Sequence, residues 1–101
     1  MIVVIIYCTI DAGRRDEFLT AVAELVSATR QEAGNLAYGC YSDPTNSTKM
    51  TFVEEWETRE AMEAHMAQPH TKAFLQFATS ILTTAPSARV FEIAKTTPLF
   101  G

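Results

Sequence analysis

The side chains best suited to proton chemistry are concentrated in one segment, FVEEWETREAMEAHMAQPH, residues 52–70. This segment contains both histidines of the chain, His65 and His70, and its single tryptophan, Trp56. Glu54 lies two residues before the tryptophan. A histidine can accept a proton near neutral pH, and a carboxylate beside it can fix which ring nitrogen holds the proton. The segment is therefore the first candidate for a site that moves protons.

Spacing indicates which of these side chains face one another. Side chains alternate between the two faces of a strand, so Phe52, Glu54 and Trp56 share one face. On the helix that follows, His65 belongs to an apolar stripe that points toward the sheet. A carboxylate between two aromatic rings on an internal strand is costly unless it has a partner. His65 is thus a candidate partner for Glu54, or a neighbour of Trp56 in a half-apolar pocket.

Each of these residues also has a structural explanation that involves no chemistry. A histidine on an apolar helix face is commonly a core residue with its hydrogen bonds satisfied, and Trp56 can be the largest core side chain. Glu54 can bond to the backbone or to a tyrosine. His70 follows Pro69 at a helix start, where capping explains it. Spacing alone leaves both explanations open.

Three tyrosines could supply a phenol to such a pocket. Tyr38 and Tyr41 lie on opposite faces of the second expected strand, so at most one of them can face the helices. Tyr7, on the first expected strand, is the third candidate.

The pattern of apolar residues predicts one domain, residues 1–101, of mixed secondary structure. The expected strands are residues 2–10, 35–42, 50–57 and 87–95, and the expected helices are about residues 14–32, 58–67 and 71–83. The first strand is almost continuously apolar, which predicts burial on both of its faces. The order β-α-β-β-α-β, with its second helix split, predicts an α+β, ferredoxin-like split βαβ fold with a four-stranded antiparallel sheet.

This topology leaves one face of the sheet without a cover. The helices pack on the other face, and no further segment of the chain is left. A second copy of the chain would cover the open face, so we expect a homodimer. In the same topology the third strand lies between the first and second, which places Cys8 and Cys40 roughly 9 to 10 Å apart. Because a disulfide joins Cα atoms at most about 7 Å apart, none is expected.

Charge and composition argue against several kinds of partner. The net charge is −4 and the eight lysines and arginines are scattered, whereas binding nucleic acid needs a basic face. The apolar run MIVVIIYCTI is much shorter than the ~20 residues that a membrane-spanning helix needs, and it lacks the features of a signal peptide. We therefore expect no nucleic-acid partner, no membrane partner and a cytoplasmic location.

Several motifs that bind cofactors are absent from the sequence. It contains no glycine-rich phosphate loop, no dinucleotide fingerprint, no Cys/His metal-ligand spacing and no serine nucleophile elbow. An enzyme with this sequence is expected to work without a nucleotide or a metal ion.

Two longer stretches, EAGNLAYGCYSDP and FVEEWETREAMEAHMAQPHTKAF, resemble the antibiotic biosynthesis monooxygenase domain family. The family pattern is a Gly-x-x-x-Tyr strand, a Glu-x-Trp strand, and a helix ending in His before a second helix. The matching residues are Gly13, Gly34, Tyr38, Glu54, Trp56, His65, His70 and Phe74. The resemblance is closest to small bacterial members to which quinol oxidation has been ascribed, and it implies a dimeric α+β barrel.

The resemblance also implies a reaction and a set of roles. Dioxygen, as co-substrate, would react with the anion of a small quinol or hydroxylated aromatic compound, and no cofactor would take part. His65 would accept the proton or hydrogen-bond the anion, Trp56 would pack against the substrate, and Glu54 would orient the histidine. The expected pocket walls are Phe52, Tyr41 and Phe74.

Similar domains carry out other reactions, so the resemblance leaves alternatives open. The branch that degrades haem has an asparagine in its first strand, where this sequence has Ile6, which argues against haem. A dimer that binds a small ligand without converting it is one alternative. Another is an isomerase in which His65 shuttles a proton within a small carbonyl compound.

Overall fold

The computed structural model describes residues 1–101, which form one four-stranded sheet with helices on one side. The strands are β1 (Ile2–Thr9), β2 (Asn35–Asp43), β3 (Asn46–Trp56) and β4 (Ser87–Glu92), and the helices are α1 (Arg15–Thr29), α2 (Arg59–Met66) and α3 (Pro69–Ala78). The strand order is β2-β3-β1-β4, and every neighbouring pair is antiparallel. The α+β, ferredoxin-like topology predicted from the sequence is confirmed, including the place of β3 between β1 and β2.

The turn between β2 and β3 is shorter than expected. Asp43 accepts hydrogen bonds from the backbone N–H and the hydroxyl of Thr45, at 2.7 and 2.6 Å, and it pairs with Asn46 across the hairpin. This local bonding reverses the chain within two residues, as Asp and Pro favour in turns. β3 therefore begins at Asn46 rather than at residue 50.

The helices also differ from the expected ranges at their ends. α1 ends at Thr29, three residues before the expected end. α3 begins at Pro69, because proline is well tolerated in the first turn of a helix, and it ends at Ala78 rather than at residue 83. Thr58 caps α2 as expected, by accepting a hydrogen bond from the backbone N–H of Ala61 at 3.1 Å. β4 ends at residue 92 instead of 95.

No helix of the chain combines the length and the apolar composition that crossing a membrane requires.

β1 is covered on one face only. Ile2, Val4 and Cys8 are buried against the helices, whereas Val3 is half-buried and Tyr7 is 48% exposed on the opposite face. The single chain buries β1 on one face, because its helices all pack on one side of the sheet; burial of the second face stays a prediction that depends on a second copy. We call the uncovered side the open face; its exposed or half-buried residues include Val3, Ile5, Tyr7, Tyr41, Val53 and Phe91.

The two cysteines are free thiols, as expected. Cys8 is buried and Cys40 is half-buried. Burial raises the pKa of the Cys40 thiol to about 12 and also raises the pKa of Cys8. Both thiols therefore stay protonated near neutral pH, in keeping with a role in packing.

Gly34 brings the end of the α1–β2 connection close to α2. Its φ is +82°, in the left-handed region that favours glycine. A Cβ at this position would lie 2.6 Å from the Cβ of Ala61. The carbonyl of Gly34 also accepts a hydrogen bond from the N–H of Glu57 at 2.8 Å. Residues just before Gly34 are therefore held against α2.

We predict that Gly34→Ala lowers the free energy of unfolding by about 2 to 4 kcal/mol. The substitution adds the strain of a left-handed residue to an overpacked contact with Ala61. Urea unfolding would measure the loss. Gly13→Ala is the matched control, because Gly13 lacks a positive φ and its added Cβ would lie 3.4 Å from Asp11 Oδ1. Equal losses in the two variants would contradict this account of Gly34.

Candidate active site

A cavity of about 100 Å³ lies between the sheet and the helices. Its apolar walls are formed by Ile6, Cys8, Phe18, Leu25, Phe52, Met66, Phe74, Leu75, Ala78, Leu82 and Pro86. Four polar side chains also reach it: Tyr38, Glu54, His65 and Thr71. Phe52 and Phe74 thus lie in the wall, where the sequence interpretation placed them. The composition suits an apolar molecule that carries few polar groups.

His65 brings a ring nitrogen with a defined proton state to this cavity. The residue is 2% exposed, and its Nδ1 lies 2.7 Å from Oε2 of Glu32. A carboxylate only accepts hydrogen bonds, so this network assigns a proton to Nδ1. In the neutral ring the lone pair is then on Nε2, which makes no hydrogen bond within the chain. Nε2 is therefore free to accept a proton or a hydrogen bond from a molecule in the cavity.

The expected orienting role of Glu54 is wrong, because Glu32 bonds to Nδ1 of His65 instead. Glu54 is 5% exposed, and its Oε1 accepts a hydrogen bond from Nε1 of Trp56 at 3.0 Å. Burial raises the pKa of Glu54, against the opposing effects of the Trp56 hydrogen bond and of His65. The cavity therefore holds a second titratable group, a carboxyl group with an increased preference for its proton.

Trp56 does not contact the cavity, so the expectation that it packs against a substrate is also wrong. The indole is fully buried, and its ring centroid lies 4.9 Å from that of His65. Its N–H needs a partner when buried, and Glu54 supplies one. Trp56 therefore supports the two polar groups that line the cavity.

The tyrosine that reaches the cavity is Tyr38, not Tyr41. Tyr41 is 59% exposed and lies on the open face, where its ring covers Gly39. Tyr38 is 5% exposed, and its ring centroid lies 5.4 Å from that of His65. Burial, reinforced by the charge of Glu54, raises the pKa of Tyr38. Its hydroxyl keeps its proton and makes no hydrogen bond within the chain, so it can donate one to a bound molecule.

Glu32, which the sequence interpretation missed, connects the two histidines. Its side chain is 8% exposed, and the same oxygen that bonds to His65 lies 2.8 Å from Nε2 of His70. His70 was expected to cap a helix, but α3 has no side-chain cap. The Thr71 hydroxyl lies 3.2 Å from Nδ1 of His65. Glu32, His65 and His70 are also a group whose ligand atoms, all within 4.8 Å of one another, could hold a metal ion.

We predict that the raised pKa of Glu54 lowers stability as pH rises. In the unfolded chain the Glu54 carboxyl group loses its proton near the usual pKa of 4.5, whereas in the folded chain it keeps that proton to higher pH. The free energy of unfolding therefore falls as pH rises above about 4.5, and it stops falling once pH has passed the pKa of the folded chain. Glu54→Gln removes this loss of stability, which amounts to about 1.4 kcal/mol for each unit by which the pKa is raised. The glutamine keeps an acceptor for the N–H of Trp56.

The measurement is urea unfolding of both proteins at a series of pH values. The stability of Glu54→Gln relative to the natural chain should rise with pH above 4.5 and then level off. Glu63→Gln, on the exposed side of α2, is the control and should show no such rise. Parallel curves for the natural chain and Glu54→Gln would contradict the assignment.

Comparison with known proteins identifies relatives over most of the chain. The family model described as antibiotic biosynthesis monooxygenase matches residues 1–76. The Bacillus subtilis protein named "Putative monooxygenase YcnE" is 29% identical over 75 residues, which are 74% of this chain and 79% of that protein. An uncharacterized protein of Synechocystis, sll1783, is 26% identical over 86 residues, or 85% of this chain. The match spans 58% of that relative's length.

Solved structures agree with this result. A crystal structure described as an antibiotic biosynthesis monooxygenase is 27% identical and superposes with a TM-score of 0.88, covering 94% of this chain and all of that one. A Deinococcus radiodurans protein with the description of a putative antibiotic biosynthesis monooxygenase covers all of both chains, with a TM-score of 0.92 and 20% identity, which shows a shared fold. From the match over residues 1–76, this chain belongs to the antibiotic biosynthesis monooxygenase family.

Proposed function

We propose that this chain is a cofactor-independent monooxygenase that oxidises a small quinol or hydroxylated aromatic compound with dioxygen. Family membership and the relative named as a monooxygenase support an oxidative activity. The observation that carries the proposal is the state of His65. Its Nδ1 is bonded to a nearly buried carboxylate, its Nε2 has no hydrogen-bond partner within the chain, and its side chain lines an apolar cavity.

In the proposed reaction the hydroxyl group of the substrate bonds to Nε2 of His65 and gives up its proton. The resulting anion is electron-rich, so it can transfer one electron to dioxygen, and the two radicals then join through a new carbon–oxygen bond. The peroxide anion that forms takes back the proton held by His65. The hydroperoxide then loses water as its O–O bond and the C–H bond at the same carbon break and a C=O group forms. One oxygen atom stays in the product and the other leaves as water, and the substrate supplies all the electrons.

The other side chains of the cavity would act on the anion and on its surroundings. The Tyr38 hydroxyl can donate a hydrogen bond to a second oxygen of the substrate, because it has no partner in the chain. Glu32 keeps the His65 ring in the tautomer that accepts a proton and stabilises the charged ring that results. The apolar walls exclude water, which strengthens these interactions and protects the anion from competing protonation.

The size of the cavity limits the substrate class. At about 100 Å³ it is smaller than a cavity of about 150 Å³ that takes up benzene in another protein. It is bordered by Met66 and Leu75, which are 50% and 48% exposed. The space admits no more than one ring, so we propose a single-ring substrate that points its hydroxyl group toward His65 and projects between Met66 and Leu75 into the mouth of the cavity.

Oxygen uptake tests this function. We predict that the chain consumes dioxygen with some member of a panel of single-ring quinols and phenols, faster than each compound oxidises alone. His65→Ala should reduce the rate by about 100-fold or more, because a general base contributes about 10²- to 10⁴-fold. Glu32→Gln should also reduce it strongly, since an amide that donates to Nδ1 would move the ring proton to Nε2.

The tyrosines provide a matched pair of controls. Tyr38→Phe removes a hydroxyl that reaches the cavity and should slow the reaction, whereas Tyr41→Phe removes one from the open face and should leave the rate unchanged. Uptake equal to the uncatalysed rate for every compound would refute the oxygenase. Uptake that persists in His65→Ala would refute the role of the histidine.

One observation favours a second function. Glu54 and His65 line the same cavity, and burial raises the pKa of Glu54, so an acid and a base are both available. Such a pair could move a proton within a small carbonyl compound, which is the chemistry of an isomerase. This reaction would proceed without dioxygen, so substrate conversion under anaerobic conditions distinguishes it from the oxygenase.

We also propose that two copies of the chain pair through their open faces. Val3, Ile5 and Val53 are apolar residues of central strands that remain half-buried, and Tyr7 and Tyr41 are exposed beside them. Sedimentation equilibrium should give twice the chain mass of 11.2 kDa. Val53→Lys should shift the mass to that of one chain, because it places a charge at the centre of the interface. A single-chain mass for the natural protein would refute the dimer.

A further inference from the structure

Glu32 is a carboxylate with little exposure to solvent and no lysine or arginine within ion-pair distance. Its side chain is 8% exposed, and its only ion-pair partners are His65 and His70. A histidine is charged only when it is protonated, so a neutral pair leaves the carboxylate with hydrogen bonds but no opposite charge. Burying a carboxylate in that state is costly. A cation at this position would remove the imbalance.

The geometry of the three side chains suits such a cation. Nδ1 of His65 and Nε2 of His70 approach the same Glu32 oxygen, at 2.7 and 2.8 Å, and the three atoms all lie within 4.8 Å of one another. Zinc binds histidine nitrogen and carboxylate oxygen at about 2.0 to 2.2 Å. An ion between the three atoms would take the place of the two protons that now join them.

The three ligands come from different parts of the helical layer. Glu32 follows α1, His65 belongs to α2 and His70 lies in the first turn of α3. Each side chain is held by the packing of its own segment, so small movements of the three side chains are enough to admit an ion between them. His70 is 28% exposed and also lines a surface groove between α1 and α3, which gives an ion a route from solvent.

The ligand chemistry selects the class of ion. Two imidazole nitrogens and one carboxylate oxygen suit zinc and related divalent transition metals. Magnesium and calcium prefer sites made of oxygen atoms. Water arriving through the groove beside His70 can complete the coordination.

We propose that Glu32, His65 and His70 bind one divalent transition-metal ion, such as Zn²⁺, and that the bound ion prevents His65 from accepting a proton at Nε2. An ion on Nδ1 leaves the neutral ring with its proton on Nε2. The cavity then faces a hydrogen-bond donor where the metal-free chain presents an acceptor. The binding site stands on the geometry alone, whereas the effect on turnover rests on the proposed oxygenase function. The ion takes no part in that reaction.

Calorimetric titration of the full chain with ZnCl₂ tests the site. The protein is stripped of metal and carries no affinity tag, because a histidine tag binds the same ions. We expect one Zn²⁺ per chain, with no binding of Mg²⁺. Because the ion displaces protons, the measured heat should differ between buffers of different ionisation enthalpy, and binding should tighten as pH rises. Absence of Zn²⁺ binding would overturn the proposal.

Variants locate the ion. His70→Ala and Glu32→Gln should each weaken binding by at least about 100-fold, because loss of a residue that merely supports a ligand already costs about 10- to 100-fold. Lys72→Ala, an exposed change on the same helix, should leave binding intact. So should the double change of Cys8 and Cys40 to alanine, which removes the only thiols. Unchanged binding in His70→Ala and Glu32→Gln would refute this site.

The proton on the His65 ring can be observed without any substrate. In ¹⁵N NMR spectra we expect the metal-free chain to carry the proton on Nδ1 and the Zn²⁺-loaded chain to carry it on Nε2. A proton that stays on Nδ1 in the loaded chain would refute the blocking effect. Because neither titration nor spectrum requires turnover, failure of the oxygen-uptake experiment would refute the proposed function and leave these results standing.

Discussion

The hydrogen bond between Glu32 and His65 decides what the cavity can do. It settles which nitrogen of the buried ring carries a proton, and through that which nitrogen meets a ligand. The carboxylate reaches the ring because Gly34 lets the end of the α1–β2 connection lie against α2. A backbone conformation open mainly to glycine thus determines the tautomer of a side chain more than thirty residues away in sequence.

The sheet supplies the other half of the arrangement. Tyr38 and Glu54 are paired across β2 and β3, so both project toward the helices at the same level of the sheet. Trp56 bonds to Glu54 and packs against the His65 ring, which ties a strand residue to a helix residue. The polar groups are therefore confined to one region, while the rest of the cavity is apolar. This separation means that the cavity presents hydrogen-bonding groups on one side and apolar groups elsewhere.

The sequence was sufficient for the fold because its signals are local. Alternation along β3 and the helical spacing of His65 correctly predict that Phe52, Glu54 and His65 face the same space. The same reasoning could not find Glu32, since its contact with His65 depends on how the α1–β2 connection packs against α2 and not on spacing within either segment. The one local clue is that Glu32 lies two residues before Gly34. This clue is informative only when it is known that Gly34 packs against Ala61 of α2.

Choosing between Tyr38 and Tyr41 failed for a related reason. A shift of one residue exchanges the faces of a strand, and the register of β2 depends on the tight turn at residues 43–46 and on irregularities at both ends of its pairing with β3. Trp56 shows another limit. The family resemblance implied that it packs against the substrate, but its N–H bonds to the buried carboxylate of Glu54 and its ring does not line the cavity.

The short length of α2 and α3 has a consequence for how the candidate site comes apart. They have eight and ten residues, and helices of this length are hardly stable alone, so they depend on their packing against the sheet. The free energy needed to unfold such helices locally is lower than that needed to separate the strands beneath them, a difference that amide hydrogen exchange measures. Both histidines lie in these helices. The site would then disassemble during partial opening of the helical layer while the four strands remain paired, so that the site is lost before the chain is unfolded.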